Sequence, residues 1–206
     1  MAADGCIGEF GGKDYAGRQI LHLGLKGICY VELRARGANG DQNSTIASSV
    51  PNPAWRLAWA LGTLKSPDEK VLIPGFYDRV VPPAETDIAA LEAMPDDSEQ
   101  QLERLGIDHF LLNESGIERK IRDYFLPTCT ISGLLSGYTG EGSKTVLPST
   151  AMAKIDMRLV MDQDPQEIVQ LLRKHLDDQG FDDIEIVMLG SEPPGKAPLD
   201  SPLAKI

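Results

Sequence analysis

The sequence predicts an α+β fold in two layers, a four-stranded antiparallel sheet with two helices packed on one face. Three observations carry this. Two stretches, beginning at Gly27 and at Ala151, alternate apolar and polar residues with the period of two expected of a half-buried strand. Two others begin with Asn52-Pro53 and Asp164-Pro165, an N-cap candidate followed by proline at the first helical position. With a proline-punctuated middle stretch set aside, the order is strand, helix, strand, strand, helix, strand. That is the split β-α-β-β-α-β arrangement of ferredoxin-like sandwiches.

In the first strand, Gly27 to Gly37, residues Cys29, Val31, Leu33 and Ala35 alternate with Tyr30, Glu32, Arg34 and Arg36. A loop through Asp41-Gln42-Asn43-Ser44 leads to a helix expected from about Pro53 to Lys65. Trp55, Leu57, Ala58, Trp59, Leu61 and Leu64 leave this helix apolar nearly all round, so it is expected to be covered on more than one side. Pro67, Pro74, Pro82, Pro83 and Pro95 then punctuate a stretch with short, acidic helices near Ala84 to Ala93, Ser98 to Leu105 and Ile117 to Phe125. We read residues 66–127 as an insertion in a single domain of residues 1–206, whose core covers about 20–65 and 128–190.

Strand-like text returns over Thr128 to Ser136, followed by the glycine-rich loop Gly137 to Gly142. In the next strand Ala151, Ala153, Ile155, Met157 and Leu159 alternate with Met152, Lys154, Asp156 and Arg158, which puts Arg158 on the polar face. Asp164-Pro165-Gln166-Glu167 reads as a capping box, Ile168, Val169, Leu172 and Leu176 form an apolar stripe, and Gly180 is the stop. The last strand is expected over Asp183 to Leu189. One face of the sheet is left for a second copy or a second domain.

Composition narrows the function. Across 206 residues, 31 acidic against 20 basic side chains give a formal charge of -11, which repels phosphate backbones and anionic lipid, so neither nucleic acid nor a membrane surface is an expected partner. Cys6, Cys29 and Cys129 are odd in number and lack Cys-x-x-Cys spacing, which favours a reducing, cytoplasmic setting over a disulfide scaffold or a thiolate metal site. The longest apolar stretch, Ala54 to Leu64, is shorter than the roughly 20 residues that cross a bilayer. The opening Met1-Ala2-Ala3-Asp4-Gly5 lacks the basic and apolar regions of a secretory signal. Both ends read as unfinished loops, the expectation for a piece of a longer protein.

Several motifs fail as self-contained chemistry. The loop Gly137 to Thr145 resembles a phosphate cradle, but Ser143 separates Gly142 from Lys144 and the loop feeds a strand rather than a helix. His175-Leu176-Asp177 has His-x-Asp spacing, yet it lies in the last turns of an amphipathic helix and is expected to be helix surface, favourable to the dipole. His22 and His109 stand alone, Glu141 and Asp96-Asp97 read as solvated loop charges, and no Gly-x-Ser-x-Gly elbow occurs. Trp55 and Trp59, at helical spacing, read as core or interface. Arg158 suits a pair with Asp156 or Glu32 across the polar face of the sheet, and its guanidinium fork equally suits a substrate carboxylate.

A series of phrases then carries a family resemblance. They are Leu25-Lys26-Gly27-Ile28-Cys29-Tyr30-Val31-Glu32-Leu33, Asn52-Pro53-Ala54-Trp55-Arg56-Leu57, Ile73-Pro74-Gly75-Phe76-Tyr77-Asp78, Lys144-Thr145-Val146-Leu147-Pro148, and Arg158-Leu159-Val160 with Gln163-Asp164-Pro165. In this order they resemble the lid and dimerisation domain of the di-zinc metallopeptidase family. That family contains carnosinase-like dipeptidases, carboxypeptidase G, aminoacylase, and the acetylornithine and succinyl-diaminopimelate deacylases.

The resemblance implies a separate catalytic domain with two zinc ions, no metal in this segment, a homodimer formed through the lid, and a dipeptide or N-acyl amino acid substrate. It also implies that the fragment alone is inactive. By resemblance Arg158 holds the substrate carboxylate and Thr145 assists. Asn43 stands where the family's Asp-x-His-Ser loop carries a histidine that reaches across the dimer to polarise the scissile carbonyl, and an asparagine amide donates a hydrogen bond but is never cationic. The alternative is a free-standing ferredoxin-like module that binds a small acidic metabolite through Arg158.

Overall fold

The computed structural model describes residues 12–198 and 200–201. Cys6, the opening Met1 to Gly5 and the closing Pro202 to Ile206 lie outside the described residues. The chain runs through strand β1 (Gly27–Arg36), helix α1 (Pro53–Gly62), helices α2 (Glu85–Ala93), α3 (Ser98–Leu105) and α4 (Gly116–Phe125), strands β2 (Thr130–Ser136) and β3 (Thr150–Leu159), helix α5 (Pro165–Asp178) and strand β4 (Glu185–Glu192). The four strands make one antiparallel sheet in the order β2-β3-β1-β4, so the fold is α+β. Among the described residues no helix is long and apolar enough to cross a membrane.

The alternation in β1 and β3 sets the layering. Their register runs from Gly27 opposite Leu159 to Arg36 opposite Thr150. This aligns Cys29, Val31, Leu33 and Ala35 with Met157, Ile155, Ala153 and Ala151 on one face, and all eight are buried. Helix α1 sits over β1 and β3 with Leu57 and Ala60, and α5 sits over β1 and β4 with Ile168, Leu172 and Leu176. The other face carries Tyr30, Glu32, Arg34, Lys154, Asp156 and Arg158, partly covered by one another.

Both core helices start as their caps predict. Asn52 Oδ1 accepts from Ala54 N–H at 2.9 Å. Asp164 Oδ1 accepts from the N–H groups of Gln166 and Glu167. The reciprocal half of the capping box is replaced, because Glu167 pairs instead with Arg79 at 2.6 Å. Helix α1 stops at Gly62, short of the expected Lys65, as the Thr63 N–H and hydroxyl both turn back to the Ala60 carbonyl. Strand β4 continues three residues beyond the expected Leu189, because a bulge opposite Tyr30 and Val31 breaks its alternation and resets the register.

His175 corrects the sequence reading: it is buried, not on the helix surface. The Thr63 hydroxyl donates its proton to the Ala60 carbonyl at 2.7 Å, so it can only accept from His175 Nε2, 3.0 Å away, which fixes the tautomer with the proton on Nε2. Burial pulls the His175 pKa below 6.5, more than the Thr63 bond and Asp178 raise it, so the ring is neutral and a dipole-stabilised cation is not its role. The unfolded chain then binds the extra proton more readily. Stability is therefore full above pH 6.5 and declines as the pH falls through 6.5 toward the folded value. We expect urea midpoints measured between pH 7.5 and about 5.5 to fall less steeply in His175→Gln than in the wild type.

The core extends past α1 into the proline-punctuated stretch. Val71, Ile73 and Phe76 are buried in the same apolar cluster as β1 and β3. Gly75 makes that approach possible: its φ is +84°, which an L side chain resists, and a Cβ there would stand 3.2 Å from Leu171. Gln163 then ties the turn to α5's approach by donating to the Phe76 carbonyl at 2.7 Å. Farther on, α2 packs against α4, and the Lys120 ammonium caps α2 by donating to the carbonyls of Leu91 and Met94.

Candidate functional site

The three candidate side chains fall at two ends of the sheet. At one end, Gln42-Asn43 pairs antiparallel with Val146-Leu147, and Ser44 N–H donates to the Thr145 carbonyl at 3.2 Å, so Asn43 and Thr145 share one exposed loop corner. Asp41 anchors this corner: its carboxylate accepts from both the N–H and the hydroxyl of Ser149 at 2.9 Å, which holds its pKa below the usual carboxylate range. Asn43 Oδ1 accepts from Thr45 N–H at 3.0 Å and caps a short 3-10 turn. The acceptor of the amide is thus engaged, and its Nδ2 protons are the groups left for a ligand.

Arg158 lies near the opposite end of β3, eight residues beyond Thr150. At about 3.3 Å per residue that is roughly 26 Å along the strand. Its Nε and Nη2 donate to Asp156, two residues back on the same face of β3, at 3.0 and 3.3 Å, one of the two pairings expected of it, while Glu32 takes Arg34 instead. Only one edge of the guanidinium is used by Asp156, and the end-on edge has no partner among the described residues. Thr128 fixes the local backbone, with its N–H on the Arg158 carbonyl at 2.9 Å and its hydroxyl oxygen receiving Arg158 N–H at 3.3 Å.

Lys26 is the residue missed as a candidate, although it stands inside the phrase Leu25-Lys26-Gly27. Its ammonium donates to the Leu126 carbonyl at 2.6 Å. Burial first, and the nearby Arg158 charge, lower its pKa against the opposing pull of Asp123. Lys26 and Arg158 thus stand near one another, each beside a carboxylate, Asp123 and Asp156 respectively, and the end-on edge of the Arg158 guanidinium is what remains to meet a substrate carboxylate. Within one chain, Thr145 lies too far away to assist it.

The remaining candidates do not assemble. Burial pushes the Cys29 thiol up to about 12, helped by Cys129, and Cys129 itself up to about 11, so neither supplies a thiolate at neutral pH. In the glycine-rich loop the Tyr138 hydroxyl donates to the Glu141 carbonyl at 2.8 Å and Lys144 stands 5.7 Å from the Tyr138 ring, so the tyrosine holds the turn together. Asp177 pairs with Arg173 while His175 faces Thr63, which takes apart the His-x-Asp pair. Among the described residues no three His, Cys, Asp or Glu side chains group to hold a metal ion.

Residues 23–183 match the family model described as a peptidase dimerisation domain. The chain is 26% identical over 160 residues to a Cys-Gly metallodipeptidase of Schizosaccharomyces pombe, covering 77% of this chain and 33% of that protein. It is 27% identical over 162 residues to the Beta-Ala-His dipeptidase of Homo sapiens, covering 78% of this chain and 32% of that protein. Among solved structures, an M20 family metallo-carboxypeptidase from Sulfolobus solfataricus superimposes with a TM-score of 0.89 at 38% identity, over 94% of this chain and 44% of that one. The chain spans about a third of the length of the curated relatives it matches. The chain belongs to the peptidase dimerisation domain family.

Proposed function

We propose that this chain is the lid and dimerisation domain of a zinc-dependent exopeptidase or amidohydrolase acting on a dipeptide or N-acyl amino acid. The single observation that carries the dimerising role is an apolar edge left open. Ile131 stands opposite Ile155 and Leu134 opposite Ala153, so both belong to the helix-side face of the sheet. Helix α1 covers β3 and β1 but not the edge strand β2, leaving Ile131 and Leu134 51% and 64% exposed. On the outer side of α1, Trp55 and Trp59 stack with ring centroids 6.0 Å apart and remain 60% and 59% exposed. An unpaired apolar strand edge, with an exposed aromatic pair on the helix that covers its neighbour β3, suits a second copy of the same domain. It supplies the cover that the near all-round apolar α1 lacks within one chain.

Sedimentation tests this. The wild-type domain is expected to sediment as a dimer, and Trp55→Ser with Trp59→Ser and Leu134→Lys to weaken association by at least ~100-fold, since aromatic anchors are worth ~2 kcal/mol or more each. A wild type that stays monomeric at high concentration would count against the proposal.

In the proposed enzyme a catalytic domain in the rest of the polypeptide would hold two zinc ions, which would supply a Lewis acid for the scissile carbonyl and a water of lowered pKa. The present residues bind and orient. Arg158, with Lys26 behind it, holds the substrate carboxylate in its own subunit. The separation along β3 supports assigning Asn43 and Thr145 to the site of the partner subunit, with Thr145 assisting the carboxylate there. Asn43 offers the partner's developing oxyanion a neutral N–H donor.

The strand order and the two helices on one face support a ferredoxin-like sandwich as the domain's architecture. We treat residues 1–206 as one domain with residues 66–127 as its insertion. A cytoplasmic setting is supported by two cysteines, Cys29 and Cys129, that are buried and unpaired.

A further inference from the structure

A cleft of about 680 Å³ opens between the insertion and two short extended segments beside the sheet. Gly24–Leu25, which leads into β1, pairs antiparallel with Gly195–Lys196, which follows β4, and Ala197 N–H donates to the Leu23 carbonyl at 2.6 Å. The chain therefore approaches and leaves the sheet through adjacent strands at the rim of this cleft. Leu21 and Leu25 line it from the approaching segment, Val81 and Met94 from the insertion, and all four are exposed. Apolar side chains gathered this way mark a contact surface rather than scattered surface residues.

The returning segment is clasped to the insertion. The Lys196 ammonium donates to both carboxylate oxygens of Asp87 on α2 at 2.7 Å and lies 5.0 Å from the Phe125 ring on α4. Asp87 is buried and also accepts from Ala84 N–H at 3.1 Å. Burial would raise the Asp87 pKa, but Lys196 and Ala84 together hold it below the usual carboxylate range, so the clasp stays ionised at neutral pH. The other charged groups lining the cleft include Lys26, bonded to the Leu126 carbonyl, and Asp123, bonded to Arg119. Covering the cleft therefore buries apolar surface while Lys26, Asp87, Asp123 and Lys196 keep these partners, and the exposed Asp162 carboxylate, which also lines it, is the charge left for the occupant to meet.

We propose that this cleft seats the catalytic domain of the same polypeptide, with the insertion as the lid-side wall of the joint and the Asp87–Lys196 pair as its clasp. The proposal rests on the reading of the chain as the lid of a longer enzyme, whose curated relatives are about three times as long as the matched segment. A body tethered through two adjacent strands at the rim meets the cleft at high effective concentration, so a modest apolar contact suffices to hold it. Seating there also fixes the Lys26 and Arg158 end of the sheet against the same subunit's catalytic domain, because Lys26 lines the cleft.

Maleimide labelling of the full-length enzyme, resolved by peptide mass, tests this with Val81→Cys and, as a reference on the same insertion outside the cleft, Leu111→Cys. The two side chains are 49% and 54% exposed in this domain. The thiol at position 81 is expected to label at least roughly tenfold more slowly than that at position 111, at every protein concentration, and Asp87→Asn is expected to narrow the gap. Equal rates overturn the proposal. A gap that closes on dilution to monomer assigns the cleft to a second copy and overturns it as well. Zinc content and dipeptide hydrolysis of the same samples report on the proposed function alone, so failure of the two readings is told apart.

Discussion

Arg158→Met in the full-length enzyme is expected to lower kcat/KM for a dipeptide by roughly 10²–10³-fold, the equivalent of about 3–4 kcal/mol of lost charge-assisted contact with the substrate carboxylate. The domain itself should hardly notice. Arg158 is half exposed and its pair with Asp156 lies on the open sheet face, where such pairs contribute about 0–1 kcal/mol to stability. Arg158→Lys should recover only part of the activity, because an ammonium keeps the charge and loses the planar fork. A substrate amidated at its C-terminus separates this role from a general structural one. With it, wild type and Arg158→Met should approach each other in rate, whereas a ratio unchanged from the acid substrate would remove Arg158 from carboxylate binding.

The second large effect is on stability. Phe76→Ala is expected to cost about 3–5 kcal/mol, read as a lower urea midpoint, because Phe76 is 1% exposed, meets the Tyr77 ring edge-on at 5.2 Å, and leaves a cavity the surrounding sheet cannot collapse into. The position is informative because it lies in the stretch that proline punctuation marks as inserted. A cost below ~0.5 kcal/mol would mean that the turn around Gly75 is dispensable to the sheet, and the insertion would then begin directly after α1.

The parts of the fold legible in the sequence are those whose cause is local. β1 and β3 alternate with period two because one face of each is buried, and Asn52-Pro53 and Asp164-Pro165 mark helix starts because the cap and the proline act within one turn. What escaped depends on partners distant in sequence. Phe76 joins the core because Gly75 turns the chain back under Leu171, a contact nearly a hundred residues away. His175 looked like a favourable charge at a helix end, and only the packing of α5 against Thr63 makes it a buried neutral donor. The β4 bulge lies where Gly190 faces Tyr30, and no pattern within β4 announces it.

The candidate site divides in the same way. Arg158 on the polar face follows from strand period alone, and so does its pairing with Asp156. Asn43 and Thr145 came from matching phrases, and their adjacency needed the short ladder between Gln42-Asn43 and Val146-Leu147. Lys26 was hidden because a lysine before a strand reads as solvated until the loop at Leu126 is folded over it.

In the proposed dimer two active sites share each pair of lids, Arg158 serving its own subunit and Asn43 with Thr145 serving the partner's. Subunit mixing measures this directly. Full-length Arg158→Met and full-length Asn43→Ala with Thr145→Ala are each assayed alone, then mixed and allowed to exchange. In a mixed dimer one site keeps Arg158 and receives an intact Asn43 and Thr145 from its partner, while the other loses both. With random exchange about one site in four is restored, so activity should rise to roughly a quarter of the wild type from two nearly inactive parents. A mixture no more active than the mean of its parents, under conditions where exchange is demonstrated, would contradict the shared-site arrangement.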